Sequence, residues 1–221
     1  MQKADLDRQL RELQENLLVL GSMVEKAIAK ALDALKTRDM EASAQIIKED
    51  DAIDLLRYQL EEHCIELIAT QQPVARDLRR LVAILHIAVE LERMGDYAEG
   101  IGKISLLMGE EPPLKPLVDI PRMAEKAAIM LRNSLDALVN RDVVAAMGVC
   151  NADDEVDALY DQVYRELLTY MIEDPKSIRR ATHLLWVAHD LERVADRATN
   201  IAERVIYLVT GKMQELNVSK Y

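Results

Sequence analysis

The segment His189-Asp-Leu-Glu-Arg-Val-Ala-Asp196 has a near copy one hundred residues earlier, Val89-Glu-Leu-Glu-Arg-Met-Gly-Asp96. In both copies a Glu-Arg pair is followed by an aspartate three residues after the arginine. An acidic pair upstream also occurs twice, first as Asp50 with Asp54 and then as Asp153 with Asp157. The chain therefore contains two copies of one sequence unit, and the fold of that unit decides the fold of the protein.

The composition predicts an all-helical protein. The 221 residues include 7 Gly, 6 Pro and no Phe, and half of them are apolar. Turn formers and the aromatic residues that strands favour are scarce, whereas the chain is long enough to bury a substantial core.

Charge excludes one class of partner. Lys and Arg total 28 against 39 Asp and Glu, which gives a net charge of −11 and a pI near 4.9. A surface of that sign repels nucleic-acid phosphates, so we expect no nucleic-acid partner. The same charge, without an evident anion-binding loop, predicts a poor direct receptor for small anions.

The chain is also expected to be cytoplasmic. Met1 to Leu13 lacks the apolar core of a secretory signal, and apolar runs such as Leu81 to Val89 are far shorter than the roughly 20 residues that span a bilayer. Contact with a membrane would come only through partners. Cys64 and Cys150 show no metal-type spacing and are expected to be reduced thiols.

Periodicity predicts three long helices in each unit. From Asp5 to Leu35 apolar residues recur at three and four, Asp39 can cap a helix that begins at Met40, and Pro73 should end that helix near Thr70. The predicted helices cover residues 5–35, 40–70 and 74–107, then 121–139, 143–173 and 175–209. We predict two tandem three-helix bundles related by an internal repeat.

A cluster of helix-breaking glycine and proline residues separates the two units. Gly109 and Pro112, Pro113, Pro116 and Pro121 lie close together, and such a concentration is typical of a linker. The expected domains are residues 1–108 and 121–221, joined by a proline-rich linker at 109–120.

The acidic pairs are the candidate functional residues. Residues four apart lie on one face of a helix, so the two carboxylates of each pair point the same way. They are Asp50 with Asp54, Glu92 with Asp96, Asp153 with Asp157, and Glu192 with Asp196. Leu78, Leu85 and Glu92 are spaced by seven, as are Ile178, Leu185 and Glu192, which predicts that each glutamate continues an apolar stripe.

If the second and third helices of a unit are antiparallel neighbours, four carboxylates converge at the rim of the bundle. Charges beside an apolar surface need compensation, and an oxygen-only ligand set suits hard cations such as iron, manganese, magnesium or calcium. The alternative is a solvated salt-bridge face in which Arg93 and Arg193 pair locally.

The motifs of the common catalytic sites are missing. No acidic residue stands three positions before any of the four histidines, as the Glu-x-x-His element of di-iron bundles requires. There is also no glycine-rich phosphate loop and no nucleophile elbow. We therefore expect a non-catalytic protein.

Longer motifs resemble those of the PhoU family. Gln71-Gln-Pro-Val-Ala-Arg-Asp-Leu-Arg79 together with Val89 to Tyr97 is similar to the family's first repeat. Leu168 to Asp174, Leu191 to Arg197 and Asn200-Ile201 are similar to its second. The resemblance covers nearly the whole chain.

The resemblance implies a regulator of phosphate signalling and uptake. Such a protein acts with the ATPase subunit of the ABC phosphate importer and with a sensor histidine kinase, restrains the phosphate-starvation response, and forms a homodimer. Several family members bind iron or other metals through acidic motifs that match the four pairs here, so we expect iron, with manganese, zinc or magnesium as alternatives. Asn200 adds an oxygen ligand in the second repeat, where the first has Gly100.

Two rival hypotheses remain open at this point. One is a di-metal carboxylate enzyme built on the same carboxylates. The other is a metal-free helical adaptor of another phosphate transporter, in which the acidic pairs serve solubility or docking. Under the regulator hypothesis phosphate is sensed in the transporter.

Overall fold

A computed structural model of the protein describes residues 2–212 and confirms the all-α prediction, since these residues form six long helices and no strand. The helices are α1 Gln2–Thr37, α2 Met40–Gln71, α3 Arg76–Met108, α4 Asp119–Asn140, α5 Val143–Glu173 and α6 Ile178–Thr210. A single 3-10 turn, Pro175–Ser177, precedes α6.

The turns that separate the helices follow from local chemistry. Asp39 accepts a hydrogen bond from the Ala42 backbone N–H at 2.8 Å and caps α2, as predicted, and Asp142 caps α5 in the same way. The residue before each cap, Arg38 or Arg141, is left-handed, with φ of 58° and 54°. The two α-to-α turns of the repeat therefore have the same conformation.

The start of α3 differs from the prediction by two residues. Gln72 and Ala75 both have positive φ, 46° and 40°, and Pro73 lies between them, so the backbone cannot be helical before Arg76. Ala75 stands at the N-cap of α3 and offers no side-chain cap. The first N–H groups of this helix are therefore not satisfied by a capping side chain.

The predicted apolar stripe on α3 and α6 enters the core only in part, where the half-buried Leu85 and Leu185 pack against it. Leu78 and Ile178 are 38% and 49% exposed. The face of α3 that enters the core instead carries Leu81, Ile84, Ala88 and Leu91. Spacing by seven identifies a line along a helix, but it does not decide which line faces the core.

Helices α2 and α3 are antiparallel neighbours. Ser43, near the start of α2, bonds Ser105, near the end of α3, with 3.0 Å between the two hydroxyl oxygens. Further along, Asp50 and Ile53 lie against Gly95. Because α2 and α3 run in opposite directions, the pair Glu92 and Asp96 on α3 lies at the same level as the pair Asp50 and Asp54 on α2.

The two units pack on each other through α3 with α6 and α1 with α4, and their buried residues form one continuous apolar cluster. The segment 109–118 crosses between the units. It is held by Lys115, which is 6% exposed and pairs with Glu166 of α5. The division into domains at 108 and 121 stays a prediction.

None of the helices in residues 2–212 combines the length and the apolar character that crossing a bilayer requires.

Candidate functional site

The acidic residues of the first repeat meet where α2 crosses α3. We call Asp50, Asp54, Glu92 and Asp96 acidic cluster 1. Gly95 makes the close approach possible, because a Cβ atom there would lie 3.1 Å from Asp50 Oδ1 and 3.2 Å from Ile53. Asp50 of the first pair thus lies beside the turn of α3 that carries the second pair.

Burial and neighbouring negative charge both disfavour ionisation in acidic cluster 1. The pKa of Asp50 is raised to about 7, by burial first and then by Asp96, Glu99, Asp54 and Glu92. Burial and neighbouring carboxylates also raise the pKa values of Glu92 and Asp96. Acidic cluster 1 therefore holds more negative charge than its local cations neutralise.

Glu99 belongs to this group although the sequence analysis did not select it. It lies one turn beyond Asp96 on α3, raises the pKa of both Asp50 and Asp96, and pairs with Lys103. Its position three residues after Asp96 was the available signal, since residues three apart share a helix face.

A cavity of about 210 Å³ opens beside Asp50 and Glu99, between α1, α2 and α3. Lys26 and Lys30 of α1 line its far wall, and Lys30 forms an ion pair of 2.6 Å with Glu49. Helix α1 thus brings positive charge to one side of acidic cluster 1. The sequence did not indicate this role for α1, because the helix carries none of the repeated acidic motifs.

Asp153, Asp157, Glu192 and Asp196 form acidic cluster 2 in the second repeat. Asp153 is only 2% exposed. Glu192 and Asp196 have raised pKa values, chiefly because of burial, and Asp196 and Asp157 raise that of Glu192 further. The two motif pairs are again brought within electrostatic reach of each other.

Arg193 makes acidic cluster 2 different from acidic cluster 1. Its guanidinium lies 2.8 Å from Glu192 and 3.0 Å from Asp196. The corresponding Arg93 is exposed and forms no ion pair within residues 2–212. The salt-bridge interpretation therefore fits the second repeat better than the first.

Asn200 lies in a different environment from the one expected. Its amide nitrogen donates to Glu90 of α3 at 3.1 Å, and Arg197 lies 3.3 Å from the same oxygen. The structure thus places Asn200 in the contact between the two repeats. Its role as a metal ligand stays a prediction.

The fit of a metal ion can be judged from the donors. The carboxylate oxygens of both clusters are of the chemical type that hard cations prefer, and the crowding in acidic cluster 1 favours a cation. Within residues 2–212, however, no three His, Cys, Asp or Glu side chains are already arranged around one point as ligands. A bound ion would require the side chains to turn toward it.

The sequence matches the family model of the PhoU domain twice, over residues 17–105 and 120–205. A curated relative from Aquifex aeolicus, the phosphate-specific transport system accessory protein PhoU homolog, is 45% identical over 208 residues, 94% of each chain. The protein of that description from Clostridium acetobutylicum is 41% identical over 218 residues, 98% of this chain and 100% of the relative.

Solved structures agree with these matches. PhoU from Pseudomonas aeruginosa has a TM-score of 0.89 and 34% identity, and the match covers 93% of this chain and 99% of that one. The phosphate transport system regulatory protein PhoU from Streptococcus pneumoniae has a TM-score of 0.89 and 33% identity, with coverage of 96% and 100%.

Proposed function

This chain belongs to the PhoU family, and from that premise we propose that it is a non-enzymatic accessory regulator of phosphate-specific transport. The observation that carries the proposal is the match of both repeats, at high identity and nearly full length, to proteins named as accessories of that system. In this proposal the protein lowers phosphate uptake and restrains the phosphate-starvation response when phosphate is plentiful.

The proposed partners are the ATPase subunit of the phosphate importer and a sensor histidine kinase, both reached from the cytoplasm. A rigid two-bundle body with acidic clusters on its surface suits such docking, because complementary charge steers and orients encounters between proteins. The protein would act as a homodimer that biases the kinase toward its inactive state.

We further propose that acidic cluster 1 binds a hard cation, with iron favoured over manganese, zinc and magnesium. Asp50, Asp54, Glu92 and Asp96 would hold it, and Glu99 adds to the negative field. Burial and then the neighbouring carboxylates raise the pKa of Asp50 to about 7, so a cation that binds its ionised form should release a proton and bind more strongly as the pH rises through about 7. Acidic cluster 2 should bind more weakly, since Arg193 already occupies two of its carboxylates.

The metal proposal is tested by elemental analysis of protein prepared without chelator or nickel resin, followed by titration with iron and manganese. The variant Asp50→Asn with Asp96→Asn should lose most of the metal, and Asp153→Asn with Asp196→Asn should lose less. Glu62→Gln with Glu66→Gln is the matched control, because these exposed glutamates of α2 have the same spacing but lie outside both clusters. Equal metal content in all three variants would refute the assignment.

The accessory role is tested separately with purified partners. The immobilised chain should retain the importer ATPase subunit and the cytoplasmic part of the kinase at high phosphate. In cells, its deletion should raise both phosphate uptake and a starvation reporter. Failure to retain either partner at high phosphate would overturn the regulatory proposal, whatever the metal content.

A further inference from the structure

Four arginines surround a cavity at the start of α3. Arg76, Arg79 and Arg80 come from the first turns of that helix, and Arg141 comes from the turn after α4. Leu208 and Val209 of α6 complete the wall of a cavity of about 240 Å³. On a chain with a net charge of −11, this is a concentrated positive site.

Asp77 and Asp7 offset part of the charge of these arginines, since both act to raise the pKa of Arg80. Arg80 lies 3.9 Å from Asp77, a long ion pair, and the other three form none within residues 2–212. The Nε atom of Arg79 is buried and has no hydrogen-bond partner within residues 2–212. Burial and then the charge of Arg141 lower the pKa of Arg80, as expected where guanidinium groups repel each other.

An equivalent group of arginines lies at the start of α6, and there the chain itself supplies the acceptors. Arg179 and Arg180 stand one hundred residues after Arg79 and Arg80, and Arg38 occupies the turn that corresponds to Arg141. All three bind the segment between the repeats. Arg179 pairs with Glu111, Arg180 donates to the Pro112 carbonyl at 3.4 Å, and Arg38 donates to the Glu110 carbonyl at 3.1 Å. The chain itself thus supplies a carboxylate and two carbonyl oxygens to that cluster.

The two groups of arginines differ in their acceptors. Oxygen atoms of residues 110–112 bind the arginines at the start of α6, whereas the cavity beside Arg76, Arg79, Arg80 and Arg141 is open. Guanidinium groups bind tetrahedral oxyanions through paired N–H donors, and the uncapped N-terminus of the 33-residue helix α3 adds a favourable dipole.

We propose that this cavity is a binding site for a phosphate-type oxyanion, either free orthophosphate or the terminal phosphate of a nucleotide. Its volume lies below the roughly 300 to 1,000 Å³ of pockets that enclose larger ligands, so it fits one phosphate group and not a whole nucleotide. The proposal departs from the expectation that an acidic chain is a poor phosphate receptor, because net charge does not describe the local field of four arginines. It is independent of the regulatory proposal.

The test is calorimetric titration of the full chain with inorganic phosphate at constant ionic strength in chloride. Metal is first removed with chelator, so that phosphate held by a cation at the acidic clusters does not contribute. The wild type should bind one phosphate saturably and gain thermal stability from it. The variant Arg79→Gln with Arg141→Gln should lose affinity by about tenfold or more, because two charge-assisted hydrogen-bond donors are removed.

The matched control is Arg38→Gln with Arg179→Gln, which removes the equivalent charges from the cluster at the start of α6, whose arginines already bind residues 110 and 111. Its phosphate affinity should be unchanged. A parallel titration with ATP identifies the source, since tighter binding of ATP that is lost in the Arg79 and Arg141 variant indicates a nucleotide, and weaker binding indicates free phosphate. No saturable binding of either ligand, or equal losses in both double variants, would overturn the proposal.

Discussion

Asp190 should make the protein less stable as the pH rises. This side chain of α6 faces α3 where Gly100 leaves room for it, because a Cβ at Gly100 would lie 3.0 Å from Asp190 Oδ2. It forms no ion pair within residues 2–212, whereas Glu90, at the matching position of the first repeat, is bonded to Arg197 and Asn200. Burial alone raises the pKa of Asp190 from its ordinary value of 3.8 to about 7.

The sign and size of the effect follow from proton linkage. Below about pH 4 the carboxyl is protonated in both states and imposes no penalty, and between about pH 4 and 7 only the folded state keeps its proton. Stability therefore falls across that window and levels off above it. A tenfold change in proton affinity is worth about 1.4 kcal/mol, which sets an upper limit of about 4 kcal/mol, and partial solvent exposure of Asp190 reduces our expectation to about 2 kcal/mol.

The assay is urea unfolding of the wild type and Asp190→Asn, followed by circular dichroism in the presence of chelator. The variant should match the wild type at about pH 4.5 and be more stable by about 2 kcal/mol at about pH 8. Asp136→Asn, at an exposed position on α4, controls for the removal of one charge. A variant that is less stable than the wild type at pH 8 would show that Asp190 is ionised and paired, and the reasoning from burial would be wrong.

Three further predictions concern packing and reactivity. Gly21→Ala should cost about 1 kcal/mol net, because its Cβ would lie 2.3 Å from Leu135 Cδ1 while alanine favours the helix, and denaturant titration should show a smaller cost in a Leu135→Ala background. Burial raises the pKa of the Cys64 thiol to about 12 and that of Cys150 to about 11, so both should react slowly with a thiol reagent at pH 8 until the protein is unfolded. Lys115→Ala should destabilise the protein by about 1 kcal/mol and speed proteolysis of residues 109–118, because it removes a buried side chain whose partner, Glu166 of α5, is 40% exposed and can be solvated.

The sequence predicted the helices well because their ends are set by local chemistry. Asp39 caps α2 as expected, and Pro73 lies in the break between α2 and α3. The antiparallel contact that brings Asp50 to Gly95 also followed from the short connection between these helices. Capping residues and prolines act over a few residues, so their effect on a helix end can be predicted without a structure.

What the sequence could not supply is the arrangement of residues from different repeats. Asn200 seemed available as a ligand because it follows Asp196 by one helical turn, but its amide contacts Glu90, 110 positions away. The arginine cavity at the start of α3 was missed for the same reason, since Arg141 and Val209 reach it from other helices. Periodicity reports the face of a helix, and it does not report which helix covers that face.

The charged groups at equivalent places of the two repeats differ in their partners. In acidic cluster 2 Arg193 bridges Glu192 and Asp196, and the arginines at the start of α6 bind the segment between the repeats. In acidic cluster 1 neighbouring carboxylates add to the effect of burial on the pKa of Asp50, and within residues 2–212 the arginines at the start of α3 form one long ion pair, with Asp77. A copied scaffold would retain both internal pairings if stability alone were selected, because an uncompensated buried charge costs free energy. The first repeat is therefore where ligands of opposite charge should act, a cation between α2 and α3 and an oxyanion at the start of α3, and binding of either should stabilise this repeat more than the other.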